Sequence, residues 1–250
     1  MNIVVFDTET TSLDKPFCYN IGYIIINVET SERILTRDFV CEQVWHNPML
    51  FTTAYYSDKR DVYIKAMRVR KTKMDKFGYI CQQMIRDFKN YEVHSAYAYN
   101  SSFDEKVFNF NCDWFKCNNP FDNIPIYDIR GYAHHYICDD MFKKWCEEHE
   151  AFSESGNYST TAENVYRYIS GYDDFVEEHT ALADSEIETE ILLFAIDIGA
   201  EIGTDYKAFK SIARPQKKVF TVKKNNEVVF TDECDTIRYM NTNNTILLKG

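Results

Sequence analysis

The chain has 250 residues, 45% of them hydrophobic and 16% aromatic, enough for one large domain, or one domain with a small appendage, around a real core rather than a disordered chain. No apolar run approaches the roughly 20 residues needed to span a bilayer, and no basic segment with a long apolar stretch precedes the first strand, so neither membrane anchor nor signal peptide is expected and the chain reads as cytoplasmic. A net charge of −11 argues against a protein that grips duplex nucleic acid through a broadly basic surface.

Residues 2–8, Asn-Ile-Val-Val-Phe-Asp-Thr, read as a strand buried on both faces, with Asn20–Val28 as a second. Glu29-Thr30-Ser31-Glu32 turns the chain into a third, Ile34–Cys41, completing an opening meander. Residues 42–76 mix aromatics with charge and are expected to hold short helices and a basic connector containing Arg60, Lys65, Arg68, Arg70, Lys71, Lys73 and Lys76. Apolar residues at Phe77, Ile80, Cys81, Met84, Ile85 and Phe88 recur with a helical period over Asp75–Lys89. Val93–Tyr99 returns to strand composition, Ser102–Phe110 can form a helix, and Ile124–Ile129 is a further short strand followed by helical segments around 131–149. Thr161–Tyr168 looks helical behind a Ser159-Thr160 cap. Ala181–Ile198 is a helix with Ala181, Leu182, Ile187, Ile191, Leu192, Phe194 and Ala195 as its packing stripe and Gly199 as its stop.

After about residue 204 the character changes. Lys218–Val222 and Val228–Thr231 flank Lys224-Asn225-Asn226-Glu227, a hairpin signal, and a short helical piece and a last strand, Thr245–Leu248, complete an appendage. A second basic stretch runs from Lys207 to Lys224; either basic stretch is a solvated face or a set of phosphate contacts. Eight cysteines are scattered without a C-x-x-C pair. Cys112 and Cys117 are the nearest two, and no Cys/His pair at zinc spacing follows them, so reduced thiols of a cytosolic protein are the expectation.

Three places along this order carry candidate chemistry. Asp7 and Glu9, in Ile-Val-Val-Phe-Asp-Thr-Glu-Thr-Thr, lie two apart at a strand end and point to one face, which presents two hard oxygen ligands suited to Mg²⁺ or Mn²⁺. Asn100 and Asp104, in Asn-Ser-Ser-Phe-Asp, share one face if a helix starts after the Val93–Tyr99 strand. His179 and Asp184, in His-Thr-Ala-Leu-Ala-Asp, place a histidine on the approach to the long helix, which Thr180 can cap, and an acid near its start.

Taken in order, FDTETTSL, NSSFD and HTALAD resemble the three exonuclease motifs of the DEDD nucleases in their histidine-bearing DEDDh (DnaQ-like) branch, over roughly residues 1–200. H-x-x-x-x-D is the specific part, because the sister branch carries a tyrosine in place of the histidine. The resemblance implies an α/β, RNase H-like fold, a mixed five-stranded sheet flanked by helices, for domain 1–203; the change of character after it makes 204–250 a separate β-rich appendage. It implies Asp7, Glu9, Asp104 and Asp184 as metal ligands and His179 as general base. Thr10, Thr11 and Leu13 would line the terminal sugar and base, with Asn100 and Phe103 also in the substrate site; Phe103 could equally be a core aromatic. Ser12 departs from the glycine more usual after the paired threonines. The long 42–76 segment departs too, and its Tyr55-Tyr56 pair and basic stretch are similar to phage and prophage members, which would place the protein in a bacterial or infected bacterial cell.

Four carboxylates around one cavity repel unless cations neutralise them, which argues for two divalent ions, the known device for in-line phosphodiester cleavage. The implied activity is a metal-dependent 3′–5′ exonuclease that releases nucleoside 5′-monophosphates. Single-stranded DNA or RNA 3′ ends are the expected partners, DNA favoured, since stacking on aromatics supplies affinity without a broadly basic surface. A second reading is a nucleic-acid-binding or polymerase-associated proofreading module with a replication partner and secondary nuclease activity. A third, an RNase H-like endonuclease, leaves His179 without a purpose.

Overall fold

The computed structural model describes the backbone of residues 1–52, 54, 57–215, 221–224, 227–230 and 247–248. Two compact units divide the chain, Met1–Ile212 and Ala213–Gly250. In the second unit, strands β7 (Thr221–Lys224), β8 (Glu227–Phe230) and β9 (Leu247–Leu248) are numbered after those of the first and form a small sheet in the order β8-β7-β9. The β7–β8 pair is the expected hairpin; the helical piece expected before β9 lies outside the described residues, as do Tyr55 and Tyr56.

The first unit is built on β1 (Asn2–Thr10), β2 (Cys18–Asn27), β3 (Glu32–Cys41), β4 (Lys73–Asp75), β5 (Val93–Ala98) and β6 (Ile126–Asp128). They form one mixed sheet of six strands, not five, in the order β4-β3-β2-β1-β5-β6. The extra strand is β4, expected to be part of a basic connector: its three residues pair parallel with Phe39–Cys41 at the edge of the sheet, where only one neighbour is needed and charged side chains can stay in water. Before it, the 42–76 segment holds α1 (Glu42–Trp45), α2 (Pro48–Phe51), a 3₁₀ turn (Ser57–Lys59) and α3 (Arg60–Arg68).

β1 is the central strand, antiparallel to β2 and parallel to β5, and its apolar run is buried on both faces as the composition predicts. Side-chain alternation sorts the core. Val4 and Phe6 enter one cluster with α4 (Phe77–Asn90) and α5 (Ser101–Phe115). Ile3 and Val5 enter the other with α6 (Ile129–Tyr136), α7 (Asp140–Glu148), α8 (Ala162–Ser170) and α9 (Ala181–Asp197). Asp7 and Glu9 therefore continue the face that α9 covers.

Helix boundaries differ from expectation where side chains cap differently. Thr161, rather than Ser159 or Thr160, caps α8 by accepting the Asn164 N–H. Thr180 holds the N-cap position of α9 but makes no side-chain cap bond; Asn20 on β2 accepts the Ala181 N–H at 2.8 Å instead. Of the expected α9 stripe, Phe194 is exposed and Leu182 half-buried, whereas Asp184, Ser185, Glu188 and Thr189 are buried. Ser185 and Thr189 satisfy their hydroxyls on the carbonyls of Ala181 and Ser185, each 2.7 Å away, so α9 is buried on most of its circumference. Residues 204–212, expected at the start of the appendage, fall within the first unit: a Cβ at Gly131 of α6 would lie 1.8 Å from the Tyr206 carbonyl oxygen. Among the described residues no helix is long and apolar enough to cross a membrane.

Candidate active site

Asp7 and Glu9 project from the last turn of the pleat in β1, and α9 is delivered to them by two devices on β2. Gly22 faces Asp7 across the β1–β2 pair, and a Cβ there would sit 2.3 Å from the backbone of Ala181 and Leu182; only glycine lets the first turn of α9 lie this close. Asn20, opposite Glu9, binds the start of α9 through its oxygen and gives its amide to Asp38 (2.7 Å) and the Phe39 carbonyl (2.9 Å). Tyr63 of α3 donates to the same Asn20 oxygen at 3.0 Å, tying the inserted segment to the site.

The result is a cluster in which a carboxylate oxygen of each of Asp7, Glu9 and Asp184 lies within 4.8 Å of the others. Asp104 approaches from the first turn of α5, on the opposite side of the sheet. Its Oδ1 accepts the Thr8 hydroxyl at 2.7 Å, and it stands outside that trio of oxygens while still acting on Asp7. A fifth acid was not foreseen: Glu188, buried one helical turn beyond Asp184, accepts the Tyr99 N–H at 3.1 Å and interacts with Asp104 and Asp184.

Burial together with mutual repulsion raises every one of these groups. Burial is the leading cause throughout. Asp7 and Glu188 are pushed well above the carboxylate range, Glu9 to about 9, with Asp184 its largest charged neighbour, Asp184 to about 8 and Asp104 to about 7. One oxygen of Asp184, Oδ1, is buried with no hydrogen-bond partner among the described residues. An orphaned oxygen on a carboxyl grouped with two further acids is a cost that a divalent cation would remove, and an all-oxygen donor set suits Mg²⁺ or Mn²⁺. The residues fit such an ion.

His179 adopts a left-handed backbone (φ 52°), a conformation that costs a non-glycine residue roughly 1–2 kcal/mol. Its Nδ1 lies 3.4 Å from Glu177, and with Glu163 these groups form a second polar cluster separate from the carboxylate trio. Burial pushes the imidazole below its ordinary range, and the Lys59 charge adds to the effect. Lys59, at the end of the 3₁₀ turn, donates to the Glu178 carbonyl and lowers Glu9 and Asp184 as well; it brings the inserted segment to the site, a role its place in a charged stretch did not reveal.

Of the expected substrate residues, Thr10 ends the strand that carries Asp7 and Glu9 and Thr11 follows it. Thr10 and Thr11 are buried, and Leu13 stands 60% exposed on a loop whose carbonyl accepts Lys106 of α5 at 2.7 Å. Asn100 is exposed in a left-handed conformation, its N–H given to Asp128 at 2.8 Å. Phe103 packs, partly buried, against the core. Away from the site, the sulfurs of Cys81, Cys112 and Cys117 meet within 4.8 Å, a proximity set by the docking of α4 on α5.

No protein-family model and no curated protein sequence matches the chain. The fold is nonetheless shared with solved nucleases. A 3′-exonuclease described in its 3′-end-specific recognition of the histone mRNA stem-loop is 14% identical, with 93% of this chain and 91% of that chain covered and a TM-score of 0.56. A full-length 3′-exonuclease is also 14% identical, over 92% of this chain and 70% of that one, at 0.52. Cell-death related nuclease 4 (CRN-4) is 10% identical over 90% and 69%, at 0.50. The chain has the mixed α/β, RNase H-like fold of these nucleases.

Proposed function

We propose that the protein is a metal-dependent 3′–5′ exonuclease acting on single-stranded nucleic acid, DNA ahead of RNA. The observation that carries this reading is the convergence of Asp7, Glu9 and Asp184, with an orphaned Asp184 oxygen, at a strand end of a fold shared with 3′-exonucleases. Asp7, Glu9 and Asp184, joined by Asp104, would hold two divalent ions, Mg²⁺ or Mn²⁺. When bound, such ions lower the pKa of water and stabilise the oxyanion that leaves.

The chain's own groups do the rest. Water oxygen bonds to the phosphorus of the 3′-terminal nucleotide, the P–O3′ bond breaks, and the leaving O3′ takes a proton from solvent water, so that the shortened strand departs with a 3′ hydroxyl. His179 takes the water proton; an imidazole held below its ordinary range is neutral near pH 7 and able to accept it. Doing so requires it to leave Glu177, and its position just before α9, on a stretch without regular structure, supports that movement. Thr10, Thr11 and Leu13 would hold the terminal sugar and base, Asn100 and Phe103 the neighbouring face.

The test is incubation with 5′-labelled single-stranded DNA and RNA in Mg²⁺ or EDTA. A ladder that shortens from the 3′ end, lost in EDTA and in Asp7→Ala, is the expected result. Internal cuts, or binding with no cleavage, would refute the proposal.

A further inference from the structure

A cleft of about 410 Å³ is lined in part by Tyr99, whose N–H binds Glu188 of the acid cluster. Tyr99 and Asn100 form its near end, one helical turn before Asp104, and it runs past the N-terminus of α8 to Lys210. In a chain of net charge −11, this cleft is lined by Arg130 and Lys210, by hydroxyls and amides, and by no carboxylate among the described residues. Its charge is opposite to that of the carboxylate cluster.

Arg130 is the strongest sign of a ligand. Its Nε is buried and has no hydrogen-bond partner among the described residues. Asp128, the acid nearest in sequence, interacts with Arg130 by charge but gives Oδ1 to the backbone N–H groups of Asn100 (2.8 Å) and Arg130 itself (3.0 Å), not to the guanidinium Nε. A buried guanidinium nitrogen without an acceptor costs free energy that an anion would recover.

The walls are built rather than incidental. His134 Nδ1 accepts the Phe209 N–H at 2.8 Å, so its Nε2 carries the proton and donates to Thr160 at 2.9 Å. Burial pushes this imidazole down to about 4, which keeps the bridge neutral. One wall, at Thr160, is thereby fastened to the other, where Lys210 follows Phe209. Tyr99 adds a bond from its hydroxyl to the Thr160 carbonyl at 2.7 Å. The first turn of α8 contributes the positive end of its dipole.

We propose that this cleft is a phosphodiester-chain site, in which Arg130 and Lys210 bind backbone phosphates of the strand 5′ to the scissile bond. It is separate from the pocket of the terminal nucleotide, and it would make the enzyme favour oligonucleotides over one-nucleotide substrates. The inference rests on the exonuclease reading above, since it needs the strand to leave the site past Asn100.

The experiment compares hydrolysis of the p-nitrophenyl ester of thymidine 5′-monophosphate with that of oligothymidylates from the dinucleotide upwards. The wild type, Lys210→Ala, Arg130→Lys and Arg130→Ala are used, and melting curves confirm folding. Lys210 is exposed, so its variant tests the site even if Arg130→Ala does not fold. Wild-type kcat/KM is expected to rise with length. Each substitution should lower it about tenfold on long strands, as for the loss of one charge-assisted hydrogen bond, and leave the ester unchanged. Binding of a 5′-labelled strand in Ca²⁺ should show a log–log salt slope shallower by roughly 0.7 for each phosphate that is no longer neutralised, which a purely structural defect would not produce. Length dependence and salt slope unchanged in the variants would overturn the cleft while leaving the exonuclease standing. Dependence of thymidine 5′-monophosphate binding on Arg130, with no effect of strand length, would assign the cleft to the released nucleotide and also overturn it. Failure to hydrolyse ester and strand alike would instead remove the reading on which it rests.

Discussion

Replacing Asp184 by asparagine should stabilise the metal-free protein. The Asp184 carboxyl is 8% exposed and pushed to about 8 by burial and by neighbouring acids, whereas in the unfolded chain it titrates near 4. Between those values the folded state holds a proton that the unfolded state has lost, so stability falls as pH rises through the window. Near pH 7 about three units have been crossed, which at roughly 1.4 kcal/mol per unit sets a ceiling of about 4 kcal/mol on the loss. The substituted amide would carry no such penalty while keeping an oxygen to accept the His179 N–H that Asp184 accepts. For a domain of this size the gain corresponds to a melting temperature higher by about 10 °C. The assay is thermal unfolding in EDTA from about pH 4 to pH 8, with and without Mn²⁺. Asp184→Asn should match the wild type near pH 4, gain steadily above it, and respond little to Mn²⁺ where the wild type recovers. A variant no more stable than wild type near pH 7, or a gain independent of pH, would refute the reasoning.

Glu188→Gln should likewise stabilise the metal-free protein, by about 1–3 kcal/mol, because the amide oxygen still accepts the Tyr99 N–H while the cost of protonating on folding a carboxyl that is ionised in the unfolded chain is removed; urea unfolding in EDTA measures it. His179→Ala should retain Mn²⁺-induced stabilisation yet lose roughly 10²–10⁴ in turnover, and unchanged turnover would remove the histidine from the mechanism. Gly22→Ala forces a Cβ to 2.3 Å from the backbone of α9; displacing that helix by about 1 Å should cost on the order of 100-fold in kcat/KM, with a melting temperature that also falls.

Asp7 and Glu9 were legible because the strand period of two admits one arrangement, and the apolar residues before them fixed the strand. Asp184 followed from the cap-and-helix pattern after His179. Glu188 was not legible, although it stands one turn beyond Asp184. A glutamate at that spacing usually faces water, and nothing local says that α9 is covered on most sides. Its burial depends on Gly22 and Asn20, more than 150 residues earlier in the chain. β4 escaped for a related reason: three residues with a lysine among them carry no strand signal until β3 offers its edge. The helical spacing carries Asp104 to the first turn of α5, but its bond to Thr8, from the opposite side of the sheet and outside the trio of oxygens, depends on how α5 crosses β1. The reach of Lys59 to the His179 approach is tertiary in the same way.

Hydrolysis of a single-stranded oligonucleotide in ¹⁸O-water with Mg²⁺, followed by mass spectrometry of the products, tests the central claim most directly. Water attack at the terminal phosphorus, with cleavage of P–O3′, predicts nucleoside 5′-monophosphates each carrying one ¹⁸O and a shortened strand carrying none at its new 3′ hydroxyl. Nucleoside 3′-phosphates, label in the shortened strand, or the same products from Asp7→Ala would contradict it.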